Sequence, residues 1–421
     1  MSETAAPRRR AALAFIFVTV VLDIVALGVV IPVLPQLIQE FAGSTGRAGW
    51  INGLFVAVWS LMQFVFSPII GSLSDRWGRR PVLLISSMGL AADYALMALA
   101  PNLWWLALGR ILSGITAASI STAFAYIADV VTPEKRAQAY GYIGACFGLG
   151  FVMGPALGGL LGEIDLRLPF WAAGALSLAN GLYGLFVLPE SLARDSRTPF
   201  SWRRANPLGS LQLLRSHPEL FGLALVNVLA QFAHYVLPAV FALYAIERYD
   251  WGPSQVGWVL AGIGVCAAVI QGLLTGRMVK RFGERTTLEV ALICGATGFA
   301  IYGLAPNGTI FWLGVPVMSF WGMAGPASQA LMTRLVSPGE QGQLQGANMS
   351  LGSLTGVIAP IVFGVTFAFF VRHPELPLPG APFLVAAALL LGAALLAWRV
   401  ARLVPETREA PVVLPHPQET P

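Results

Sequence analysis

Long stretches of the chain contain no Asp, Glu, Lys or Arg: 48–74, 137–162, 168–189, 220–246, 251–276, 341–371 and 376–398. Each is at or above the ~20 apolar residues that one helical bilayer crossing requires. The stretch 290–333 is too long for one crossing and is divided by Pro306-Asn307-Gly308, so it predicts two helices. Three more helices, each holding a charge, are predicted over 11–34, 81–100 and 102–128, which gives twelve. The stretches lack the two-residue alternation of barrel strands, and an open sheet would leave backbone groups unpaired in lipid. The crossings are therefore helical.

Composition points the same way. Of 421 residues, 56% are apolar and only 11% charged, against ~25% charged in a soluble domain. A soluble enzyme and a disordered chain are both excluded. The net charge of +5 concerns orientation, not nucleic acid. With the amino terminus inside, 21 of the 26 Lys and Arg fall in the tails and inner loops, Arg110 lies within a helix, and only Arg47, Arg167, Arg248 and Arg372 fall outside. Both termini are thus predicted to be cytoplasmic. Met1 to Arg10 reads as a short tail before a first spanning helix, since that helix holds Asp23 and has no cleavage site. Cys146, Cys266 and Cys294 are odd in number and lie in apolar stretches, implying neither a disulfide framework nor a metal site.

The chain divides into a tail (1–10), a six-helix bundle (11–189), a basic linker (190–217), a second six-helix bundle (218–404) and a Pro-rich tail (405–421) read as disordered. The bundles repeat at an offset of 205 residues. Leu99–Asn102 recurs as Leu304–Asn307, and Gly71, Arg76, Gly78 and Arg80 recur as Gly276, Arg281, Gly283 and Arg285. Gly109, Pro133, Gly141, Pro155 and Gly159 recur as Gly314, Pro338, Gly346, Pro360 and Gly364. Six is even, so both halves share one topology and are related by an axis along the membrane normal. Two such halves rocking about a midplane site describe a transporter. No phosphate-cradling loop is present, so ATP is not its energy source.

Several residues are candidates for its chemistry. The first inner loop, Gly71-Ser72-Leu73-Ser74-Asp75-Arg76-Trp77-Gly78-Arg79-Arg80, combines turn-forming glycines with cations. Asp75 suits a helix amino terminus, such as that of helix 11 near Gln341, and would form a latch that breaks when the halves part. The alternative is a purely topogenic loop. Asp129 closes helix 4 where Arg79 or Arg80 can meet it, as a gate or as a simple anchor. A charge at helix centre costs about 2.5–3.5 kcal/mol on insertion scales, so buried ionisable groups need partners or a wet cavity. Asp23 lies near the midplane. Asp93 and Arg110 stand at one depth on successive helices, eight or nine residues from the Pro101-Asn102 turn. Burial and a neighbouring cation act in opposite directions on a carboxyl's protonation, so movement of Arg110 can load and unload a proton. A static ion pair is the other reading.

For cargo, Asn227, Gln231 and His234 form a polar stripe at i, i+4 and i+7 on helix 7. Gln271, Gln329 and Asn348 add amides, and Trp258, Trp321 and Phe241 add aromatic walls, the mixed lining of a small-molecule site. Gln63 on helix 2 is a further polar candidate, for cargo or for an interhelical hydrogen bond. On helix 5, Gly150, Gly154, Gly158 and Gly162 stand four apart and allow a close helix approach, with Pro155 adding a bend.

The inner-loop pattern resembles the hallmark of the major facilitator superfamily. Leu108–Gly114 resembles its helix-4 motif around a buried arginine, and Gly150–Gly159 resembles the helix-5 signature of proton-coupled drug exporters. The run "LMQFVFSPIIGSLSDRWGRRPVLL" is similar to tetracycline efflux antiporters. The resemblance implies a twelve-helix, two-lobed, all-α membrane fold and proton-driven export of an amphipathic drug, tetracycline or its magnesium chelate. It implies no cofactor, no nucleic-acid partner, a functional monomer and a place in the bacterial cytoplasmic membrane. It also implies a helix-5 seal at Gly150, Gly154, Pro155, Gly158 and Gly159, and proton coupling through Asp23, Asp93 and Arg110. Enterobacterial members have a helix-8 histidine and a helix-9 acid where this chain has Ala267 and Gly295. A multidrug antiporter without tetracycline preference and a proton-linked nutrient importer are the alternatives.

Overall fold

A computed structural model of the chain describes residues 5–117, 120–131, 133–200, 218–336, 341–373, 375–376 and 378–403. Every regular element among them is helical. The first lobe comprises α1 (Ala5–Val30), α2 (Leu34–Ala42), α3 (Thr45–Trp77), α4 (Arg79–Ala98), α5 (Leu103–Ala117), α6 (Ile120–Val130), α7 (Pro133–Ile164) and α8 (Leu168–Val187). The second comprises α9 (Pro218–His234), α10 (Val236–Tyr249), α11 (Pro253–Val269), α12 (Thr275–Leu304), α13 (Gly308–Ser319), α14 (Ala324–Arg334), α15 (Gln341–Arg372) and α16 (Ala381–Val400).

These helices make twelve crossings. Three crossings are interrupted within the membrane: α9 with α10 at Tyr235, α11 with the start of α12 through a π-helical turn at Ile270–Leu274, and α13 with α14 through a 3-10 turn at Phe320–Met323, while α5 and α6 belong to one crossing. The continuous run Pro253–Leu304 is 52 residues, or about 78 Å of helix, far too long for one crossing. Gly283, with φ 80°, divides it. Its counterpart 205 residues earlier, Gly78, separates α3 from α4 with φ 110°, so the matched glycines serve the same reversal. The matched asparagines also share a purpose. Asn102 Oδ1 accepts from the Trp104 amide at 3.1 Å, and Asn307 Oδ1 accepts from the Ile310 amide at 3.0 Å, each capping the helix that follows.

Two segments differ from the sequence reading. Residues 34–42, expected in a loop, form α2, because Pro35 starts a helix readily and Leu34, Leu37 and Ile38 make one buried face. The helix closes on Gly43 at φ 74°. At the amino terminus α1 already begins at Ala5, inside the stretch read as a tail. Most of the linker (201–217) and the tail 404–421 lie outside the described residues.

The lobes meet along two seams that are themselves a repeat. In one, α7 lies against α11: a Cβ on Gly159 would stand 2.6 Å from the Pro253 carbonyl and 3.0 Å from Gly257 Cα, and one on Gly257 would strike the Pro155 carbonyl. In the other, α15 lies against α3: a Cβ on Gly364 would stand 2.6 Å from the Gly49 carbonyl, and one on Gly53 would strike the Pro360 carbonyl. Pro155 and Pro360, and Gly159 and Gly364, are repeat mates. Backbones in contact without intervening side chains form the small-residue seam typical of helices in lipid. Both seams run towards the end of the molecule away from the linker. There Asn52, 1% exposed, adds a third bond between lobes, donating to the carbonyls of Pro238 (3.1 Å) and Ala239 (2.6 Å) on α10.

Candidate functional site

The second lobe holds a cavity of about 440 Å³, within the range of small-molecule sites. Asn227, Gln231 and His234 line it from α9, as their helical spacing requires. Gln271 enters from the π-helical turn and Gln329 and Asn348 from α14 and α15. Trp321, on the 3-10 turn, forms an aromatic wall, its ring 5.5 Å from the His234 ring and 5.7 Å from Phe299. The amides form a partly satisfied set. Asn348 Nδ2 donates to Gln329 Oε1 at 3.2 Å, while Gln329 Nε2 and Asn348 Oδ1 are buried without partners. Asn227 Nδ2 lies 3.2 Å from Met332 Sδ.

Three of the residues expected at a cargo site stand elsewhere. Phe241 is 1% exposed and stacks on Phe311 at 5.5 Å, in an aromatic core that also holds Tyr244 and Tyr302. Trp258 is half exposed and outside the lining, next to the seam residue Gly257. Gln63 is half-buried on α3 and also outside the lining. Ala267 lines the cavity. Gly295 has a packing cause: a Cβ there would stand 2.8 Å from Trp321 and 2.9 Å from Leu390, so the tryptophan occupies the space a side chain would need.

The first lobe supplies the ionisable groups. Asp93 is fully buried on α4, and neither of its carboxyl oxygens has a hydrogen-bond partner. Arg110, 6% exposed on α5, lies beside it but turns Nη2 towards Ser113 Oγ (3.4 Å) and Met97 Sδ (3.7 Å), and its Nε is unpartnered. The two do not close into an ion pair. Gly109 makes the room, since a Cβ there would lie 3.0 Å from Asp93 Oδ1. Asp23, half-buried on α1, accepts from Asn180 Nδ2 of α8 at 3.0 Å. Around it Thr19 Oγ1, Ser177 Oγ and Asn180 Oδ1 are buried and unpartnered.

At the linker-bearing end Arg79 is the hub. It pairs with Asp75 (2.5 Å) and Asp129 (3.2 Å) and donates to Ser74 Oγ (2.7 Å), while Ser191 Oγ donates to Asp129 (2.9 Å). Arg80 Nη2 donates to the Leu185 carbonyl at 2.6 Å. Asp75 is therefore engaged within its own lobe in this conformation; the side chain of Gln341, its expected partner region, lies outside the described residues. Gly71 has open space beside it, and no bond ties Arg76 to this cluster.

Two features here escaped sequence reasoning. Glu190 receives the backbone amides of Arg79 (2.9 Å) and Arg80 (3.3 Å), so the first linker residue caps α4 from 110 residues away. A Cβ on Gly78 would strike this carboxylate, a second reason for glycine there. Further, Arg79–Asp129 has a repeat mate at offset 205 in Glu284–Arg334 (2.6 Å), with the charges exchanged. Identity matching is blind to such a swap; matching charged positions regardless of sign finds it.

Helix 5 uses two faces. Gly150, Gly154 and Gly158 lie against α1, where added Cβ atoms would meet Ile24, Gly28 and Val29, whereas Gly159 and Pro155 face α11 of the other lobe. The four-residue spacing thus packs α1 within the lobe, and the seam between lobes lies on the neighbouring face.

Comparison with known proteins agrees with this architecture. The family model described as Major Facilitator Superfamily matches residues 16–360 and 223–418. The chain is 40% identical over 360 residues to the Escherichia coli "Tetracycline resistance protein, class C", covering 85% of this chain and 90% of that one. It superimposes on the human organic anion transporter MFSD10 (TETRAN) with TM-score 0.69 at 27% identity, covering 92% of this chain and 99% of that one. A bacterial homologue of the human lysosomal transporter Spinster, inward-facing and occupied, shares the fold with TM-score 0.76 at 19% identity, covering 96% and 98%. Two repeated six-helix lobes, glycine seams between them and a polar cavity within the membrane place this multi-pass membrane protein among the small-molecule transporters of the Major Facilitator Superfamily.

Proposed function

We propose that the chain exports tetracycline-like amphipathic drugs from the bacterial cytoplasm in exchange for protons, working by alternating access as a monomer. The observation that carries this reading is the pairing of a cargo-sized amide and tryptophan cavity in one lobe with a buried, unpartnered Asp93 carboxyl in the other. The relatives named tetracycline resistance proteins support the cargo class. With the linker-bearing end in the cytoplasm, the seams close the outer side and the cavity is offered to the inner side. Asp93 takes a proton with no hydrogen bond to break, and Arg110, on the neighbouring helix of the same lobe, approaches or withdraws by a shift within that lobe. Asp23, held by Asn180, is the second proton-linked carboxyl. The concentration of Lys and Arg in the loops on the linker side supports this orientation.

Membrane vesicles turned inside out from cells expressing the chain test this directly. After acidification of their lumen, added tetracycline should release protons, and drug accumulation should stop when a protonophore collapses the gradient. Accumulation that survives the protonophore contradicts the proposal. Ala267 and Gly295 favour, as a second reading, a broader multidrug range; susceptibility of the same host to unrelated drugs separates the two.

A further inference from the structure

The cavity has an unusual charge inventory. Among its described lining residues none is Asp, Glu, Lys or Arg, and His234 is its one titratable side chain. Two carboxylates of the second lobe are already committed at the linker-bearing end: Glu284 to Arg334 at 2.6 Å and Glu289 to Arg285 at 3.3 Å. A cation entering this space gives up part of its hydration and meets no counter-charge in the described lining, which is costly. An anionic or keto–enol edge fares differently. An imidazole offers an N–H donor in either protonation state and is the one group there able to become positive. Beside the aromatic wall, Gln329 and Asn348 line the cavity joined by a bond of 3.2 Å, with Gln329 Nε2 and Asn348 Oδ1 turned inward and unpartnered. Turned towards the cavity, these two amides give a donor and an acceptor to a ligand with alternating carbonyl and hydroxyl groups. Gly295 has no room for an acidic side chain, since a Cβ there would stand 2.8 Å from Trp321.

We infer that this cavity takes its cargo free of metal, as a net-neutral or anionic keto–enol drug, and discriminates against organic cations and positively charged divalent-metal chelates. His234 is the group that meets the anionic edge, and the Gln329–Asn348 pair meets the keto–enol edge. This rests on the drug-export reading above and narrows it.

Binding to the purified full-length chain, followed by quenching of tryptophan fluorescence, tests it with three probes: tetracycline in EDTA, tetracycline with saturating magnesium, and tetraphenylphosphonium. Metal-free tetracycline should bind at least about fivefold more tightly than the chelate, and tetraphenylphosphonium should not compete. His234→Ala should weaken metal-free binding by about fivefold, the loss of one hydrogen bond to a charged or polar edge. Gln271→Glu, nearly isosteric and exposed to the cavity, should reverse the order, strengthening the chelate and tetraphenylphosphonium by about tenfold. Tighter binding of the chelate than of the metal-free drug, or equal binding of tetraphenylphosphonium by the wild-type chain, overturns the inference while leaving export intact. Absence of binding by all three probes removes the drug-export reading and the inference with it.

Discussion

Asp93 and Asp23 differ in what surrounds them, and that difference sets what a substitution does. Neither carboxyl oxygen of Asp93 has a hydrogen-bond partner, so Asp93→Asn removes a titratable group and its attraction to Arg110 without breaking a hydrogen bond. The variant should reach the membrane in normal amount and bind drug, yet give no drug-dependent proton release in vesicles; release at the wild-type rate would take Asp93 out of the mechanism. Glu190 is the opposite case, a group whose contacts are its purpose. Glu190→Ala leaves two amides of α4 without their acceptor, at a cost of about 0.5–2 kcal/mol by analogy with helix caps. Thermal unfolding should shift down accordingly, while drug affinity at the cavity in the other lobe stays unchanged. Counting residues from Pro101-Asn102 was enough to place Asp93 and Arg110 at one depth, because antiparallel helices with a constant rise share a ruler. Nothing local marks Glu190, whose partners arrive only when the lobe folds.

Periodicity is reliable within a helix and fails where the helix breaks. Asn227, Gln231 and His234 share α9 and reach the cavity together, whereas Phe241 lies beyond the break at Tyr235 and enters the aromatic core. Pro238 contributes to that break, since it has no N–H to offer the His234 carbonyl four residues earlier. Similarly, the spacing of the helix-5 glycines announced a close approach without saying which helix approaches. The structure separates two partners, and substitutions should separate them too. Gly154→Val drives a side chain into Gly28 of α1 inside one lobe and should destabilise the fold by about 1–3 kcal/mol, the usual penalty for overpacking. Gly159→Val meets Pro253 and Gly257 of the other lobe. It should leave unfolding unchanged, hold the seam apart and raise the labelling of single cysteines placed along α11. Equal destabilisation by both would mean that the two faces do the same job.

For the molecule as a whole, the repeat read from glycines and prolines turns out to be a set of paired devices: two reversals at Gly78 and Gly283, two asparagine caps, two glycine seams and two ion pairs of opposite sense. Which end of the seams is closed was not legible, because conformational state depends on contacts between lobes and each lobe's sequence fits both states. Closure at the end away from the linker has a consequence for turnover. The first residues of α3 and the last of α15 belong to different lobes, and a Cβ on Gly46 would lie 3.5 Å from Arg372 Cγ, the place a cysteine sulfur at 372 would take, so the two side chains stand close enough to be bridged. Gly46→Cys with Arg372→Cys should therefore cross-link on oxidation. If the lobes must part at this end to release cargo, the oxidised chain still binds drug from the linker side but moves none, and a reductant restores transport. Wild-type chain under the same oxidation, with Cys146, Cys266 and Cys294 free, controls for chemistry elsewhere. Undiminished transport by the fully cross-linked chain would mean that cargo leaves without separation of α3 from α15, and the rocking of two rigid lobes would have to give way to motion within one of them.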